Sequence, residues 1–360
     1  MAQLFVDSFG IYSTADIPTR WPGGGANGYT IVNTPLPPGS QAGAQVLAIG
    51  NNFQGITTNN FGANPRVITG FRFMKATGTS ATQGIIIAYG HQLSMGQFRG
   101  VCSVQYDAMG TYITDGVGAV LGTGPIVPFN EWHHYEFDAQ MGLAGAATLK
   151  LYLDGSPTPF ISVTGASTQY AEAEFVSTGS GPINGVFWNV NAGGGYYADF
   201  YMFNGTGAAP FNAALAPQSL GAAKMAFAIP NGAGTVSAWT PNGAATIWQC
   251  INQIPQDGDT TYASDATPGD QYQCTFTALP LMQTLISVQL STYARTDDAG
   301  PRAYQSGFWH AGTFGYSGMN QFLGGTYNYI QDEFMTNPVT GLAWAPADLT
   351  GLQFGAKLTI

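Results

Sequence analysis

The sequence predicts an all-β protein made of two antiparallel β-sandwich domains of the jelly-roll type. Three observations lead to this prediction: short segments alternate apolar and polar residues, glycine, proline and asparagine separate these segments, and helical periodicity of useful length is nearly absent. Glycine accounts for 49 of the 360 residues, whereas only 8% of residues are Asp, Glu, Lys or Arg. Helical bundles and coiled coils need charged solvent-facing sides, so this composition argues against them.

The alternation is clearest in four segments, each of which we expect to form a strand with one apolar face. They are Arg66–Lys75, Ala147–Asp154, Ile286–Ser291 and Leu352–Thr359. In the first segment, Val67, Phe71 and Phe73 share one face. The second segment ends at Asp154-Gly155, a pair that favours a tight hairpin turn.

Two stretches are the best candidates for helix: the Ala-rich Phe211–Lys224 and a single turn near Pro346–Leu352. Around Gly205–Gly221, small residues and prolines replace the alternation found on either side. A domain boundary at this place gives two sandwiches of ordinary domain size. The predicted organisation is a first sandwich at 1–205, a linker at 206–221 and a second sandwich at 222–360.

The overall composition argues against several classes of protein. Hydrophobic residues make up 45% and aromatic residues 13% of the chain, which is too much buriable surface for a disordered protein. The sequence has no run of about 18 apolar residues, so we expect a soluble chain without membrane insertion. Twenty acidic and ten basic residues give a net charge of −10. The basic residues are scattered and form no stripe that would neutralise nucleic-acid phosphates, so we expect no nucleic-acid partner.

The amino terminus and the cysteines indicate synthesis in a reducing cytoplasm. The chain reaches Asp7 without a basic region or a long apolar stretch, so we expect no secretory signal. Cys102, Cys250 and Cys274 are an odd set without the CxxC spacing typical of zinc sites. We therefore predict three small buried hydrophobic side chains and no metal or other cofactor.

Two pairs of carboxylates occupy alternate strand positions, the arrangement that can place the two acids of a retaining glycosidase close together. They are Glu136 with Asp138, and Glu172 with Glu174. Neither pair matches the three-carboxylate strand pattern of laminarinase-like enzymes. We interpret both pairs as solvated polar faces of strands, so the sequence predicts no catalytic residue and no enzyme.

Other familiar site patterns are incomplete. His133 and His134 are adjacent, so on a strand they face opposite sides and cannot bind one metal ion together. The segment Gly315–Gly318 falls short of a nucleophile elbow, and Gly23–Gly25 precedes no helix that would complete a phosphate site. One acidic cluster lacks the EF-hand spacing and is interpreted as a solvated loop. Its members are Asp257, Asp259, Asp265 and Asp270.

Aromatic residues give the strongest signal for ligand binding. Several of them follow the triglycine Gly193–Gly195 and surround Asp199. Sugars stack on exposed aromatic faces, while a carboxylate accepts hydrogen bonds from their hydroxyl groups. The candidate glycan-binding residues are Trp188, Tyr196, Tyr197 and Asp199. A strand buried between two sheets would show the same pattern, so core packing is the competing interpretation.

Segments in both halves of the chain resemble one protein family. The first 21 residues, the run Asn130–Glu136 and the strand and turn Leu151–Gly155 resemble the start of certain tailed-bacteriophage virion proteins. The first domain of that family is a concanavalin A-like, laminin-G-like sandwich. In the second half, the resemblance lies in VSAWTPNGAATIWQC, DGDTTYAS, ARTDDAGPR and the last 24 residues.

The resemblance implies a concanavalin A-like first domain and a non-enzymatic structural protein of the virion, either decorating the head or forming a tail appendage or tail fibre. It also implies location in the virion and contact with other capsid or tail proteins, and we expect a homo-oligomer. The alternative is a receptor-recognition module of the tail that binds host-surface glycan, as a lectin does, through the aromatic residues near Tyr196. The sequence leaves open the position on the particle, the copy number and the host.

Overall fold

The protein is described by a computed structural model that covers most of the chain. The described residues are 3–21, 28–50, 56–57, 64–76, 84–94, 97–142, 145–168, 185–189, 194–206, 224–282, 284–310 and 312–360. The chain divides into two compact units. Unit 1 comprises Met1–Gly10 and Thr14–Met225, and unit 2 comprises Ile11–Ser13 and Ala226–Ile360. The regular secondary structure of both units is almost entirely antiparallel strand, so the predicted all-β fold class is confirmed.

Unit 1 has one short helix, α1 (Ile17–Arg20), which follows a 3₁₀ turn at Thr14–Asp16. All its other regular elements within the described residues are strands. They are β1 (Gln3–Asp7), β2 (Tyr29–Val32), β3 (Val46–Ile49), β4 (Ile56–Thr57), β5 (Arg66–Lys75), β6 (Gly84–Ser94), β7 (Gln97–Tyr106), β8 (Thr111–Asp115), β9 (Val120–Gly124), β10 (His133–Gln140), β11 (Ala147–Leu153), β12 (Ile161–Ala166), β13 (Gly185–Asn189) and β14 (Gly195–Phe203).

These strands form two antiparallel sheets that pack face to face as a β-sandwich. Sheet A has the order β12-β11-β10-β5-β14-β3-β2, with β1 also paired to β14, and sheet B has the order β4-β13-β6-β7-β8-β9. Tyr89 of β6 stacks on Phe137 of β10 with ring centroids 5.0 Å apart, and its hydroxyl group donates to the Phe137 carbonyl at 3.0 Å. Tyr197 of β14 donates in the same way to the Ile86 carbonyl at 2.8 Å. Both contacts join the inner faces of the two sheets.

Strand β5 shows how the sequence pattern produces this sandwich. It spans Arg66–Lys75, as the alternation predicts. Val67, Phe71 and Phe73 are buried on its inner face, and Phe71 stacks on the neighbouring Tyr135 at 5.8 Å. Burial of apolar surface stabilises the fold by about 25 cal/mol per Å², so this row commits one side of β5 to the core. The opposite side of β5 forms part of the outer face of sheet A.

Unit 2 contains a short helix, α2 (Ile247–Cys250), and a 3₁₀ turn at Pro346–Leu349, close to the turn predicted near Pro346–Leu352. Its other regular elements within the described residues are strands. They are β15 (Pro230–Ser237), β16 (Thr240–Asn242), β17 (Tyr262–Ser264), β18 (Gln271–Phe276), β19 (Val288–Ala294), β20 (Ala303–His310), β21 (Thr313–Tyr316), β22 (Gln321–Phe322), β23 (Asn328–Phe334) and β24 (Gln353–Leu358).

The main sheet of unit 2, sheet C, has the order β15-β18-β24-β20-β21, with β22 also paired to β20. Strands β19 and β23 form a separate two-stranded ribbon, and β16 pairs with β17. Phe308 of sheet C packs against Phe334 of the ribbon with ring centroids 5.0 Å apart, and Trp344 and Leu352 complete this buried cluster. The ribbon therefore covers part of sheet C and closes the core of unit 2.

Several local predictions have a direct structural outcome. Asp154-Gly155 forms a tight turn with positive φ angles of 51° and 73°, closed by the Ser156 amide donating to the Leu153 carbonyl at 3.0 Å. The connection between β11 and β12 continues to Ile161, so the turn is part of a longer loop and the predicted two-residue hairpin is not formed. The three cysteines are buried free thiols, as predicted. The linker at 206–221 and the helix candidate Phe211–Lys224 fall almost wholly on 207–223, which lie outside the described residues, so both stay predictions.

Within the part of the chain that the structure describes, no helix has the length and apolar character needed to cross a lipid bilayer.

Candidate functional site

The outer face of sheet A carries charged and polar side chains from three neighbouring strands, β10, β5 and β14. His134 of β10 pairs with Arg72 of β5, and Glu136 pairs with Gly70. On the other side of β5, Gly70 pairs with Tyr201 of β14. The register therefore brings side chains from distant parts of the chain into one group. This group, called the polar cluster below, consists of Arg72, His134, Glu136, Asp199 and Tyr201.

The phenol of Tyr201 is the centre of the polar cluster. Its hydroxyl group donates a hydrogen bond to Glu136 Oε2 at 2.8 Å and lies 3.2 Å from His134 Nε2. The ring reaches these partners by crossing Gly70, where any side chain would collide with it. Glycine within a strand often marks such a close approach. The absence of a side chain at position 70 is what allows β14 to contribute to a group centred on β10.

A bulge in β14 turns Asp199 toward Arg72. The pairing register of β14 shifts beside Asp199, and this residue has a φ of 54°, which is uncommon for residues other than glycine. Asp199 Oδ2 lies 3.2 Å from Arg72 Nε, while Oδ1 accepts a hydrogen bond from the Met225 amide at 2.9 Å. Arg72 also donates to the Pro38 carbonyl at 3.2 Å. The ion pair thus connects sheet A with two segments that pass over it.

Burial sets the protonation states of the polar cluster. It lowers the pKa of His134 to about 4, and the charge of Arg72 acts in the same direction, so the imidazole is neutral at pH 7. Burial, and secondarily the Glu136 carboxylate, hold the pKa of Tyr201 well above its ordinary value, so the phenol keeps its proton. Burial also raises the pKa of Asp199 to about 6, although Arg72 opposes this rise. At pH 7 the cluster therefore offers a neutral base, a proton donor and a guanidinium group.

A second ion pair lies beside the polar cluster. Arg66 Nε and Nη2 donate to the two carboxylate oxygens of Asp138 at 2.9 and 2.7 Å, a two-pronged geometry that fixes both side chains. Asp138 and Glu136 expose 5% and 0% of their surface. The sequence-based interpretation of Glu136 and Asp138 as the solvated polar face of a strand is therefore wrong. Its error was to treat the outer face of the sheet as open to water, whereas further segments of the chain cover it.

The polar cluster is closed to solvent. Tyr201, His134 and Arg72 expose 1%, 4% and 7% of their surface. Beside the contacts of Met225 and Pro38 already described, Lys224 Nζ donates to the Pro38 carbonyl at 3.3 Å. The turn at 37–40 and the segment 224–225 thus form a cover over the cluster.

The predicted glycan-binding residues do not form one exposed surface. Tyr197 is fully buried, and its ring packs on Phe73 at 4.8 Å, so neither face is free to stack on a sugar. Asp199 is held by Arg72, as described above. Tyr196 is half-buried. Trp188 lies on β13 of sheet B, and its side chain falls outside the described part of the structure. Glycan binding by Tyr196 and Trp188 stays a prediction.

The other residues singled out from the sequence lie apart from the polar cluster. His133 lies on the opposite face of β10 from His134, with Nδ1 2.8 Å from Asp154 Oδ2. Asp259 pairs with Arg295 at 3.0 Å. Glu172, Glu174 and Gly23–Gly25 fall outside the described residues. Among the side chains that the structure describes, no three His, Cys, Asp or Glu groups come together as metal ligands would.

Sequence reasoning missed Arg72 and Tyr201. The available signal was the outward row of β5, where Arg66, Gly70 and Arg72 alternate with the buried apolar residues. That row becomes informative only when β10 and β14 are known to lie on either side of β5. Sequence separation hides this arrangement, because Tyr201 is 67 residues away from His134.

The chain was compared with known proteins at the level of sequence family and of structure. No protein-family model matches the chain, and no curated protein matches it. Solved structures with a similar fold include several polysaccharide lyases with a β-sandwich fold. The likeness concerns the sandwich fold alone, and no residue role is transferred from it.

Three of these structures illustrate the likeness. The marine PL-14 alginate lyase from Aplysia kurodai has 10% sequence identity, covers 56% of this chain and 99% of its own, and has a TM-score of 0.39. The endo-β-1,4-glucuronan lyase from the fungus Trichoderma reesei has 11% identity, covers 49% of this chain and 87% of its own, and has a TM-score of 0.36. The cellulose-induced protein Cip1 has 16% identity, covers 51% of this chain and 91% of its own, and has a TM-score of 0.36.

These comparisons contradict two sequence-based predictions. The chain was expected to be a non-enzymatic structural protein of a bacteriophage virion, in the head or in a tail appendage or fibre, with tail glycan recognition as the alternative. The matched structures are instead largely polysaccharide lyases, and no match to a virion family was found. The virion role rested on the family resemblance alone, and the expectation that the chain is not an enzyme rested on a search for carboxylate pairs within single strands. The sandwich fold implied by the resemblance is confirmed.

Proposed function

We propose that unit 1 cleaves an acidic polysaccharide by β-elimination at the polar cluster. The observation that carries the proposal is the position of the Tyr201 hydroxyl group, which is 2.8 Å from Glu136 Oε2 and 3.2 Å from His134 Nε2. A protonated phenol beside a neutral imidazole supplies both the acid and the base of an elimination. The guanidinium group of Arg72, which pairs with His134 on the neighbouring strand β5, supplies a positive charge that binds a substrate carboxylate.

Each bond change in this reaction has a group that serves it. Arg72 binds the uronate carboxylate and stabilises the negative charge that develops there. His134 Nε2 takes the proton from C5, so the C5–H bond breaks and the C4=C5 double bond forms. The C4–O glycosidic bond breaks, and Tyr201 donates its proton to the leaving oxygen. The proton then returns from His134 to Tyr201, which resets the site.

Glu136 is a positioning residue in this scheme. It accepts a hydrogen bond from the Tyr201 hydroxyl group in the resting structure and so fixes the orientation of the phenol. In the same resting structure, Asp199 forms an ion pair with Arg72. Substrate binding therefore exchanges Asp199 for the uronate carboxylate and requires the cover at 37–40 and 224–225 to move aside. Induced closure and opening of this kind is common in enzymes that exclude water from their sites.

The experiment uses the full chain with alginate and glucuronan as separate probes. Elimination creates a C4=C5 double bond conjugated with the carboxylate, so the product is measured by its ultraviolet absorbance and by mass spectrometry. We expect unsaturated oligosaccharides from at least one probe. We also expect the rate to rise with added salt, because a chain with a net charge of −10 repels a polyanion and salt screens that repulsion.

Two matched variants test the assignment of Tyr201. Removing the hydroxyl group with Tyr201→Phe is expected to lower the rate by about 10² or more, the usual contribution of a positioned acid–base group. Tyr197→Phe removes the hydroxyl group of another buried tyrosine of β14, one that bonds the Ile86 carbonyl, and should leave the rate nearly unchanged. Full activity in Tyr201→Phe, or no unsaturated product from either probe, would refute the proposal.

A further inference from the structure

Sheet C of unit 2 has one face in the core and an opposite, outer face. Phe308 of β20 and Ala356 of β24 belong to the buried clusters of the core. Successive side chains of a strand point to opposite faces, so the residues that follow them, Trp309 and Lys357, lie on the outer face. Within the six strands of sheet C, Lys357 is the only Asp, Glu, Lys or Arg residue. A single lysine on an otherwise uncharged sheet therefore marks this face.

Three aromatic residues share the outer face of sheet C. Residues paired across neighbouring strands lie on the same face, and Trp309 pairs with Phe314 while Gly307 pairs with Tyr316. The rings of Phe314 and Tyr316 have centroids 4.3 Å apart. A Cβ atom at Gly307 would stand 2.5 Å from Phe314 Cε1, so this glycine leaves room for the ring. The three residues are half-buried, and we call them the aromatic platform.

Tyr316 is held in place along the surface of sheet C. Its hydroxyl group donates a hydrogen bond to Gln271 Oε1 at 2.5 Å. Tyr316 belongs to β21 and Gln271 to β18, and the strands β20 and β24 lie between them. The two side chains together therefore span the middle of the sheet. Because this bond already fixes the phenol, stacking a ligand on it costs little further conformational entropy.

Lys357 places a positive charge beside the aromatic platform. Its Nζ atom lies 5.3 Å from the centroid of the Tyr316 ring. Unit 2 has two other basic residues, Arg295 and Arg302, and each is paired with an aspartate. Among the described residues, no carboxylate forms an ion pair with Lys357. Its charge is therefore available to a carboxylate of a ligand.

We propose that the aromatic platform and Lys357 bind an acidic polysaccharide on unit 2. The C–H groups of a sugar ring pack on aromatic side chains, and Lys357 donates charge-assisted hydrogen bonds to a uronate carboxylate. The amide of Gln305, which pairs with Lys357, exchanges hydrogen bonds with sugar hydroxyl groups. One cation among neutral amides and rings matches a polymer whose sugars each carry one carboxylate and otherwise neutral hydroxyl groups. The site holds the polymer without cleaving it and is independent of the elimination proposed for the polar cluster.

The test measures binding of the full chain to alginate by electrophoresis in gels that contain the polymer, with dextran as the neutral comparison. All proteins carry Tyr201→Phe, so that the alginate stays intact during the measurement. We expect alginate to slow the parent protein. Tyr316→Leu removes one ring of the platform and should weaken alginate binding about tenfold. Tyr316→Phe keeps the ring and should weaken it by less than about threefold.

A second pair of variants tests the charge. Lys357→Gln should weaken alginate binding about threefold and leave any binding to dextran unchanged, because dextran has no carboxylate. Arg295→Gln changes the net charge by the same amount, but this arginine is already paired with Asp259, so alginate binding should stay the same. Thermal unfolding of each variant checks that unit 2 remains folded.

Three outcomes would overturn the proposal. They are the absence of alginate binding by the parent protein, equal alginate binding by the parent and Tyr316→Leu, and an equal loss in Lys357→Gln and Arg295→Gln. Light scattering adds a fourth, because a dimer that Tyr316→Leu dissociates would assign this face to a second copy of the chain. Failure to detect an unsaturated product concerns the polar cluster alone and leaves this result unaffected.

Discussion

The phenol ring of Tyr201 lies directly over Gly70, so that a Cβ atom at position 70 would stand 1.9 Å from Tyr201 Cζ. Gly70→Ala should therefore push the ring away from Glu136 and His134. Overpacking of this kind costs about 1–3 kcal/mol, and urea unfolding measures it. Gly100→Ala in β7 is the matched control, because a Cβ there meets no atom within 4 Å; it should change stability by less than about 0.5 kcal/mol. Equal stability of the two variants would contradict this account of the Tyr201 site.

Acidification should reveal two opposing contributions from the polar cluster. The pKa of His134 is lowered to about 4 in the folded protein, so the unfolded chain binds the extra proton and stability falls as the pH drops from 6.5 to 4. The pKa of Asp199 is raised to about 6, so the folded protein binds the extra proton and gains stability as the pH drops through the same window. In the wild-type protein these two effects offset each other.

Asp199→Asn removes only the second of these effects. The variant should lose about 1.4 kcal/mol more stability per pH unit than the wild-type protein between pH 6 and pH 4. Urea unfolding at several pH values gives the slope, which is independent of any constant cost of the substitution. Parallel pH profiles for the two proteins would show that Asp199 does not bind a proton in this window.

Asp7 anchors the amino-terminal strand of unit 1. Its carboxylate accepts a hydrogen bond from Trp21 Nε1 at 3.0 Å and lies 3.3 Å from Arg20 Nε, and all three residues are buried. Asp7→Ala leaves the Arg20 charge in the interior without its carboxylate, so a loss of about 3–5 kcal/mol is expected in urea unfolding. Glu131→Ala is the control, since the Glu131 side chain is 64% exposed, and it should cost no more than about 1 kcal/mol.

Asp332 is a buried hydrogen-bond acceptor in unit 2. Asp332 is 3% exposed and accepts hydrogen bonds from Ser306 at 2.5 Å and from Gln321 at 2.6 Å. Ser306→Ala removes one donor from this buried carboxylate, which should cost about 1–3 kcal/mol. Ser317→Ala alters an exposed hydroxyl group and serves as the comparison in thermal unfolding. A cost for Ser306→Ala no greater than for Ser317→Ala would mean that water replaces the lost donor.

Local patterns in the sequence predicted the strands well. Strand β5 and the turn at Asp154-Gly155 depend on interactions within a few residues, namely apolar alternation and the tolerance of positive φ. The inner face of β5 could be predicted for the same reason, because Val67, Phe71 and Phe73 are spaced by multiples of two.

The polar cluster could not be predicted in the same way. Glu136 looked like a solvated acid because nothing near it in sequence shows that Gly70 and Tyr201 will lie beside it. The pairing of β10, β5 and β14 decides that outcome, and it is set by packing across the whole sandwich rather than by local propensity. The buried state of these groups depends in addition on the cover at 37–40 and 224–225, two segments whose sequence is ordinary for loops.

The assignment of Ile11–Ser13 to unit 2 has a consequence for the order in which the chain is made. Tyr12 packs on Tyr329 at 5.9 Å, and Gln256 donates to the Ile11 carbonyl across 245 residues. At ribosomal rates of about 5–20 residues per second, the early segment waits roughly 12–50 s for the first of these partners. Residues 11–13 are thus among the first to be synthesised, yet they pack into unit 2 only after its other residues have been made. A fragment that starts after residue 221 would lack Tyr12, the packing partner of Tyr329.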